Sequence, residues 1–327
     1  MGEEESSSTQ KISFADIVKK VSSAGTLNIE LDQKKIYGWF AAVIFGLLVS
    51  YWFFFAKVVH VRNGVSFTLT IIAIAAIAPF ALIYVSKWIA IKTHKITIIA
   101  KNNYRNPEEE ALYTLTESIC KRAGMGKVPA IGIYESKDMN AFATGRNKDD
   151  ALVAVSTGLM QGMDEKAISA VVAHEVAHIA NGDMLTLALI QAAVTVAVMI
   201  VAVPIWVINL FAKFYAANDR TANGYLVSQI INVITWIITF LLSSLGLLAV
   251  RFYSRKREYE ADALSADLVD RNYMIDALKF LQNDTEEAPK AQLLYSAFKT
   301  NAPQFFMEFL SSHPPIEKRI QALSERA

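Results

Sequence analysis

Five consecutive residues, His174-Glu175-Val176-Ala177-His178, have the types and spacing of a metal-assisted hydrolytic site. In a helix, positions i and i+4 project from one face, so both imidazoles can reach one ion. Neutral imidazole is a natural ligand of zinc, and a bound zinc supplies a Lewis acid and a water whose pKa is brought towards neutrality. The glutamate between the histidines stands beside that water, where a carboxylate serves as general base. The competing reading is two histidines packed on an apolar helix. It is the weaker one, because the chain has only five histidines and the pattern arises by chance about once in a few hundred such sequences.

A catalytic zinc takes three protein ligands and keeps one position for water. The single cysteine, Cys120, excludes a cysteine-based zinc site and an intramolecular disulfide, and it reads as a small buried apolar residue. Carboxylates are the remaining source. Downstream stands Arg257-Glu258-Tyr259-Glu260-Ala261-Asp262. On a helix Glu258 and Asp262 share a face, whereas Glu260 is about 200° round from Glu258. Glu258 as third ligand, with Asp262 one turn on to hold the far N–H of a ligand histidine, makes a sound set. Taken alone, the same segment also reads as a solvated charged helix.

The element that must carry the histidines begins at Asp164, a capping residue, runs through Ala180 and stops at Asn181-Gly182. Before it the pattern is α+β. Residues 95–100 alternate like a strand, Asn106-Pro107 followed by three glutamates opens a helix, and 130–135, 140–145 and 151–156 are short strands separated by turn residues. The chain after 251 reads as mostly helical.

Between and before these pieces the composition is that of a membrane protein. Of 327 residues, 53% are hydrophobic and 19% charged, and the mean hydropathy is +0.30. A soluble enzyme carries about a quarter charged residues. A net charge of +1 without a basic stripe gives no case for nucleic acid. Four stretches suffice to cross about 30 Å of hydrocarbon as helices: 36–56, 66–85 with Pro79 inside it, 184–212 interrupted by Pro204, and 225–250. No cleavable signal peptide is expected, since the first apolar run starts near residue 36 and is of full length. The polar N-terminal extension, 1–35, contains one short amphipathic stretch at 14–21. His60 and His94 sit near span ends and read as interfacial.

Lysines and arginines are sparse in the two short connections, 57–65 and 213–224. They are richer before the first span, after the second and after the fourth. The positive-inside rule then puts both termini, residues 86–183 and residues 251–327 in the cytoplasm, with the second hairpin, 184–250, between the two halves of one soluble domain. A reducing compartment suits the lone cysteine.

His-Glu-x-x-His followed by Asn181-Gly182-Asp183, a transmembrane hairpin and Glu-x-x-x-Asp resembles the HtpX-type membrane metalloproteases, gluzincins related to the CAAX prenyl endopeptidases. The resemblance covers about residues 36–327. It includes the four-span layout, Asn140-Ala141-Phe142-Ala143, and His313-Pro314-Pro315-Ile316-Glu317-Lys318-Arg319-Ile320. It implies a membrane α-helical protein with an α+β cytoplasmic zincin domain and four transmembrane helices, in the cell inner membrane. It also implies one zinc per chain on His174, His178 and Glu258, and Glu175 as base. Asp262 would support a zinc histidine, His313 would stabilise the oxyanion, and Arg319 would lie near the cleft. Residues 140–143 would form an edge strand that binds polypeptide, with Asn140 touching substrate. The expected substrates are membrane proteins, damaged ones in particular.

Three other readings were weighed on the residues. A narrow CAAX-type processing protease would need lipid-modified peptides. A catalytically silent scaffold would tend to lose Glu175, which is intact. A channel or transporter would carry charges inside its spans, and all four lack them.

Overall fold

The computed structural model describes residues 12–27, 62–219, 222–287 and 314–326, with isolated helical positions at 38, 42, 45 and 49. The expected first span, His60 and His313 therefore lie, wholly or nearly so, outside the described residues.

Local signals in the sequence place most of the helix starts. Helix α1 (Phe14–Ser23) opens on a reciprocal cap between Ser13 and Asp16. After α2 (Arg62–Thr93) and strand β1 (Thr97–Ile99), helix α3 (Pro107–Arg122) starts at Asn106, whose side chain accepts the Glu109 N–H. Strands β2 (Ala130–Tyr134), β3 (Ala141–Asn147) and β4 (Asp150–Ser156) follow, then the short α4 (Thr157–Gly162) and α5 (Glu165–Asn181). The long α6 (Asp183–Asp219) and α7 (Ala222–Leu268) precede α8 (Arg271–Glu287) and α9 (Ile316–Ser324).

The sheet order is β1-β2-β4-β3, with β2 and β4 parallel and the outer pairs antiparallel. Strand β4 is central and buried along its length, while β3 is an edge strand. Helices α3 and α5 pack with α8 and the end of α7 into one core. It contains Leu112, Ile119, Val153, Ile168, Val172 and Leu268. Ile17 and Val21 of α1 are fully buried in that same core, so the amphipathic part of the polar extension is built into the domain. Cys120 is buried there as well, and burial pushes its thiol up to about 12.

Two described helices contain segments long and apolar enough to cross a membrane, Asp183–Val203 in α6 and Gln229–Leu268 in α7. The expected span 66–85 falls within α2, which runs through Pro79 without a break. Four spans were expected, and these two are the ones found among the described residues. Helices α6 and α7 approach closely at Gly246, where a Cβ would clash with Val194 Cγ1. Elsewhere on α7, Trp236, Phe240 and Leu245 are left uncovered, apolar surface of the kind that lipid covers. One difference from the sequence reading matters for the site. The last apolar run and the Glu258–Asp262 segment form a single unbroken helix of 47 residues.

Candidate active site

Helix α5 is fixed at both ends. Asp164 caps its start by accepting the Ala167 N–H at 2.8 Å. Gly182 ends it in the left-handed conformation, φ 67°, and returns its N–H to His178 and Ile179 carbonyls. Only glycine takes that conformation without steric cost. The chain then starts α6 at once, so Asp183 swings back beside the last turn of α5.

That reversal joins His178 Nδ1 to Asp183 Oδ2 at 2.6 Å. His174 Nδ1 lies 3.0 Å from Asp262 Oδ1, within reach of its N–H though not in line with it. Both rings therefore turn Nε2 inward, where the two Nε2 atoms stand 3.1 Å apart. Glu258 brings Oε2 to 3.7 Å from His174 Nε2 and Oε1 to 3.6 Å from His178 Nε2. With each Nδ1 turned to a carboxylate, the two Nε2 lone pairs and the Glu258 carboxylate face one point. Without a cation at that point they repel. Ligands at about 2.1 Å around a tetrahedral ion are about 3.4 Å apart, and the three separations bracket that spacing. The donor set fits zinc.

Charge leads to the same conclusion. Arg319 forks onto Asp262 at 2.7 and 2.6 Å and reaches Glu258 at 3.5 Å. Arg257 stands 3.7 Å from Asp183. Among these described residues, four carboxylates (Glu175, Asp183, Glu258 and Asp262) face two guanidinium groups, a deficit that one dication closes. Burial alone would lower the His178 pKa. The Asp183 bond and the neighbouring carboxylates outweigh it and raise the value, so the site favours positive charge.

Glu175 lies on α5 where that helix meets β3, and the nearby Ala143 backbone N–H favours its charged form. Burial pushes its pKa up, opposed by the two imidazoles and reinforced by Glu258. A carboxylate raised in this way is a better proton acceptor than one in water. Strand β3 presents its outer edge to this helix. Its inner edge is paired with β4 in the register Ala141↔Val155, Phe142↔Ala154 and Ala143↔Val153.

The structure brings His174, Glu175, His178, Glu258, Asp262 and Arg319 together, with Ala141, Phe142 and Ala143 alongside on β3. Glu258 and Asp262 are 3% and 1% exposed, whereas the Glu260 side chain is about half exposed and pairs with Lys256. Arg319 is engaged by the two carboxylates, behind the histidines rather than on an open cleft face. Asn140 is exposed and holds its place through its backbone, which exchanges bonds with Ser156. His94, read from sequence as interfacial, packs on Tyr134 and Phe142.

Two residues were not singled out from sequence, Asp183 and its neighbour Arg257. The available signal was the Gly182 break, because a left-handed cap followed at once by a new helix start returns the next side chain towards the preceding turn.

Residues 106–327 match peptidase family M48. The chain is 41% identical to Protease HtpX of Shewanella oneidensis over 249 residues, 76% of this chain and 84% of that protein. It is 42% identical to Protease HtpX of Shewanella baltica over 246 residues, 75% and 83% of the two chains. In fold it is similar to the crystal structure of S. mikatae Ste24p, with a TM-score of 0.57 at 17% identity; the match covers 89% of this chain and 65% of that one. Three side chains able to hold a metal ion, two of them on a capped helix, a sheet edge beside the intervening glutamate and this kinship agree: the chain belongs to peptidase family M48 and is a metallopeptidase of the membrane.

Proposed function

We propose that the protein is a zinc endopeptidase whose ligands are His174, His178 and Glu258 and whose general base is Glu175. The observation that carries this reading is the inward convergence of three ligand atoms within 4.8 Å of one another. A zinc ion held there supplies the Lewis acid for the scissile carbonyl and a water of lowered pKa. Glu175 takes the proton of the attacking water and delivers it to the leaving amine. Asp183 and Asp262 hold the two imidazoles in the tautomer that leaves Nε2 free, and Arg319 balances Asp262 and Glu258.

An extended polypeptide adds to the open edge of β3, where backbone groups of Ala141 and Ala143 are the ones not spent on β4. Binding through main chain gives affinity with little demand on side chains, which suits substrates defined by being unfolded. Asn140 borders this edge. His313 is proposed as the oxyanion donor on its sequence match alone. Four spans, at 36–56, 66–85, 184–212 and 225–250, anchor the domain formed by 86–183 and 251–327. The loop charges support a cytoplasmic face, and the start of apolar α6 one residue after the ligand helix suits a site at the inner membrane that acts on membrane proteins.

The test is Glu175→Gln in detergent-purified protein, assayed for zinc and for casein cleavage in one sample. Zinc stays at one per chain while hydrolysis falls at least about 100-fold, the lower end for loss of a general base. Retained activity would remove Glu175 from the mechanism.

A further inference from the structure

The edge strand beside Glu175 is held against α2, the helix that carries the proposed span 66–85, and the contacts give a scale. Strand β3 lies along the last three turns of α2. His94, one residue past the end of α2, packs at a tilt on Phe142 with ring centroids 5.3 Å apart. Lys87 reaches Asp150 at 2.9 Å, and Asp150 also holds Arg146 at 3.1 Å. Arg146 lies over the Tyr84 ring at 5.5 Å. From Tyr84 to His94 a helix advances about 15 Å, and from Phe142 to Arg146 a strand advances about 13 Å. The two elements therefore run side by side in opposite directions, and Arg146 sits at the level of Tyr84.

That level is the membrane boundary by two independent marks. Tyr84 is at the end of the apolar run of α2, with Lys87 and Lys92 beyond it, and Lys92 and Trp88 pack together as interfacial residues do. Across the hairpin tip, residues Arg146 and Lys148 share a small cavity with Gly182, Met184 and Leu185, where the apolar segment of α6 begins. Strand β3 thus starts away from the bilayer and ends at its surface. Ala143, beside Glu175 where α5 meets β3, is three residues from Arg146, a strand distance of about 10 Å.

We propose that this geometry selects the extended flank of a membrane-anchored polypeptide and cuts it about three to five residues outside its last membrane-embedded residue, the length of strand that fits between the Arg146 level and Glu175. The inference rests on the peptidase reading above and on β3 as the docking edge. The distance to the membrane is set by α2, so cut position follows the boundary and not the sequence.

The experiment uses full-length protein co-reconstituted in phosphatidylcholine–phosphatidylglycerol nanodiscs with a designed substrate. The substrate has one 20-residue Leu/Ala helix followed by a 30-residue uniform Ser/Ala/Gly flank, and products are mapped by mass spectrometry. A matching soluble flank peptide is assayed in parallel. Cuts cluster within about three to five residues of the apolar end, and lengthening the apolar run by four residues at the expense of the flank moves them outward by four. Cuts spread evenly along the flank, or centred more than ten residues out, overturn the proposal while leaving the peptidase reading intact. Failure to cut either the anchored or the soluble flank, with zinc bound, would instead count against the peptidase reading.

Discussion

His178 Nδ1 and Asp183 Oδ2 are 2.6 Å apart across the point where α5 ends and the apolar helix α6 begins. The first residue of a helix long and apolar enough to cross a membrane thus orients a candidate metal ligand. Any displacement of α6 relative to α5 is felt at His178 without passing through a flexible loop, because a single residue, Gly182, separates the two helices.

Asp183→Asn keeps the shape and removes the charge. The His178 tautomer is then less well held, and zinc affinity falls by about 10–100-fold, as is typical when a partner of a ligand histidine is changed. Competition with a calibrated chelator measures it. Unaltered affinity would show that Asp183 serves only the helix junction.

Glu258 and Glu260 are two residues apart and differ completely in environment. Glu258→Ala removes a buried carboxylate that faces both Nε2 atoms, so bound zinc and hydrolysis are lost together. Glu260→Ala removes an exposed carboxylate paired with Lys256, and retains both. Zinc stoichiometry of the two purified variants decides, and full occupancy in Glu258→Ala sinks the ligand set.

Arg319 is 8% exposed and forked onto Asp262. Replacing it by Met leaves a buried carboxylate unpaired, a change that costs about 3–5 kcal/mol when one partner of a buried pair is removed. The melting temperature of metal-stripped protein therefore drops, and added zinc restores part of it by neutralising the same cluster. A melting temperature that matches wild type with chelator present would contradict this account of Arg319.

Orientation is testable with reporters. A fusion after Ala327 is cytoplasmic and an insertion near Asn218, at the end of α6, is on the outer side. An outer C-terminus would move the zinc site to another compartment.

Several parts of the site were readable from sequence because they are local. The i, i+4 histidines, the Asp164 cap and the Gly182 stop depend only on helix period and end chemistry, and all appear where that chemistry places them. The same period separates Glu258 and Asp262 from Glu260. Strand positions followed from alternation and turn residues, with ends shifted by one or two residues at β3. Apolar run length marked the spans, two of which the described helices contain.

What tertiary structure decided are the meetings that no spacing rule encodes. Arg319 binds Asp262 from 57 residues away, and Lys20 binds Asp270 from 250 away, tying α1 to the turn between α7 and α8. The parallel pairing of β2 with β4 leaves β3 on the edge, and only the packing of α5 against it brings Ala143 near Glu175. Propensity and periodicity act over one or two turns of chain. Which distant faces touch is settled by burying apolar surface and pairing buried charge together, and that balance exists only in the assembled core.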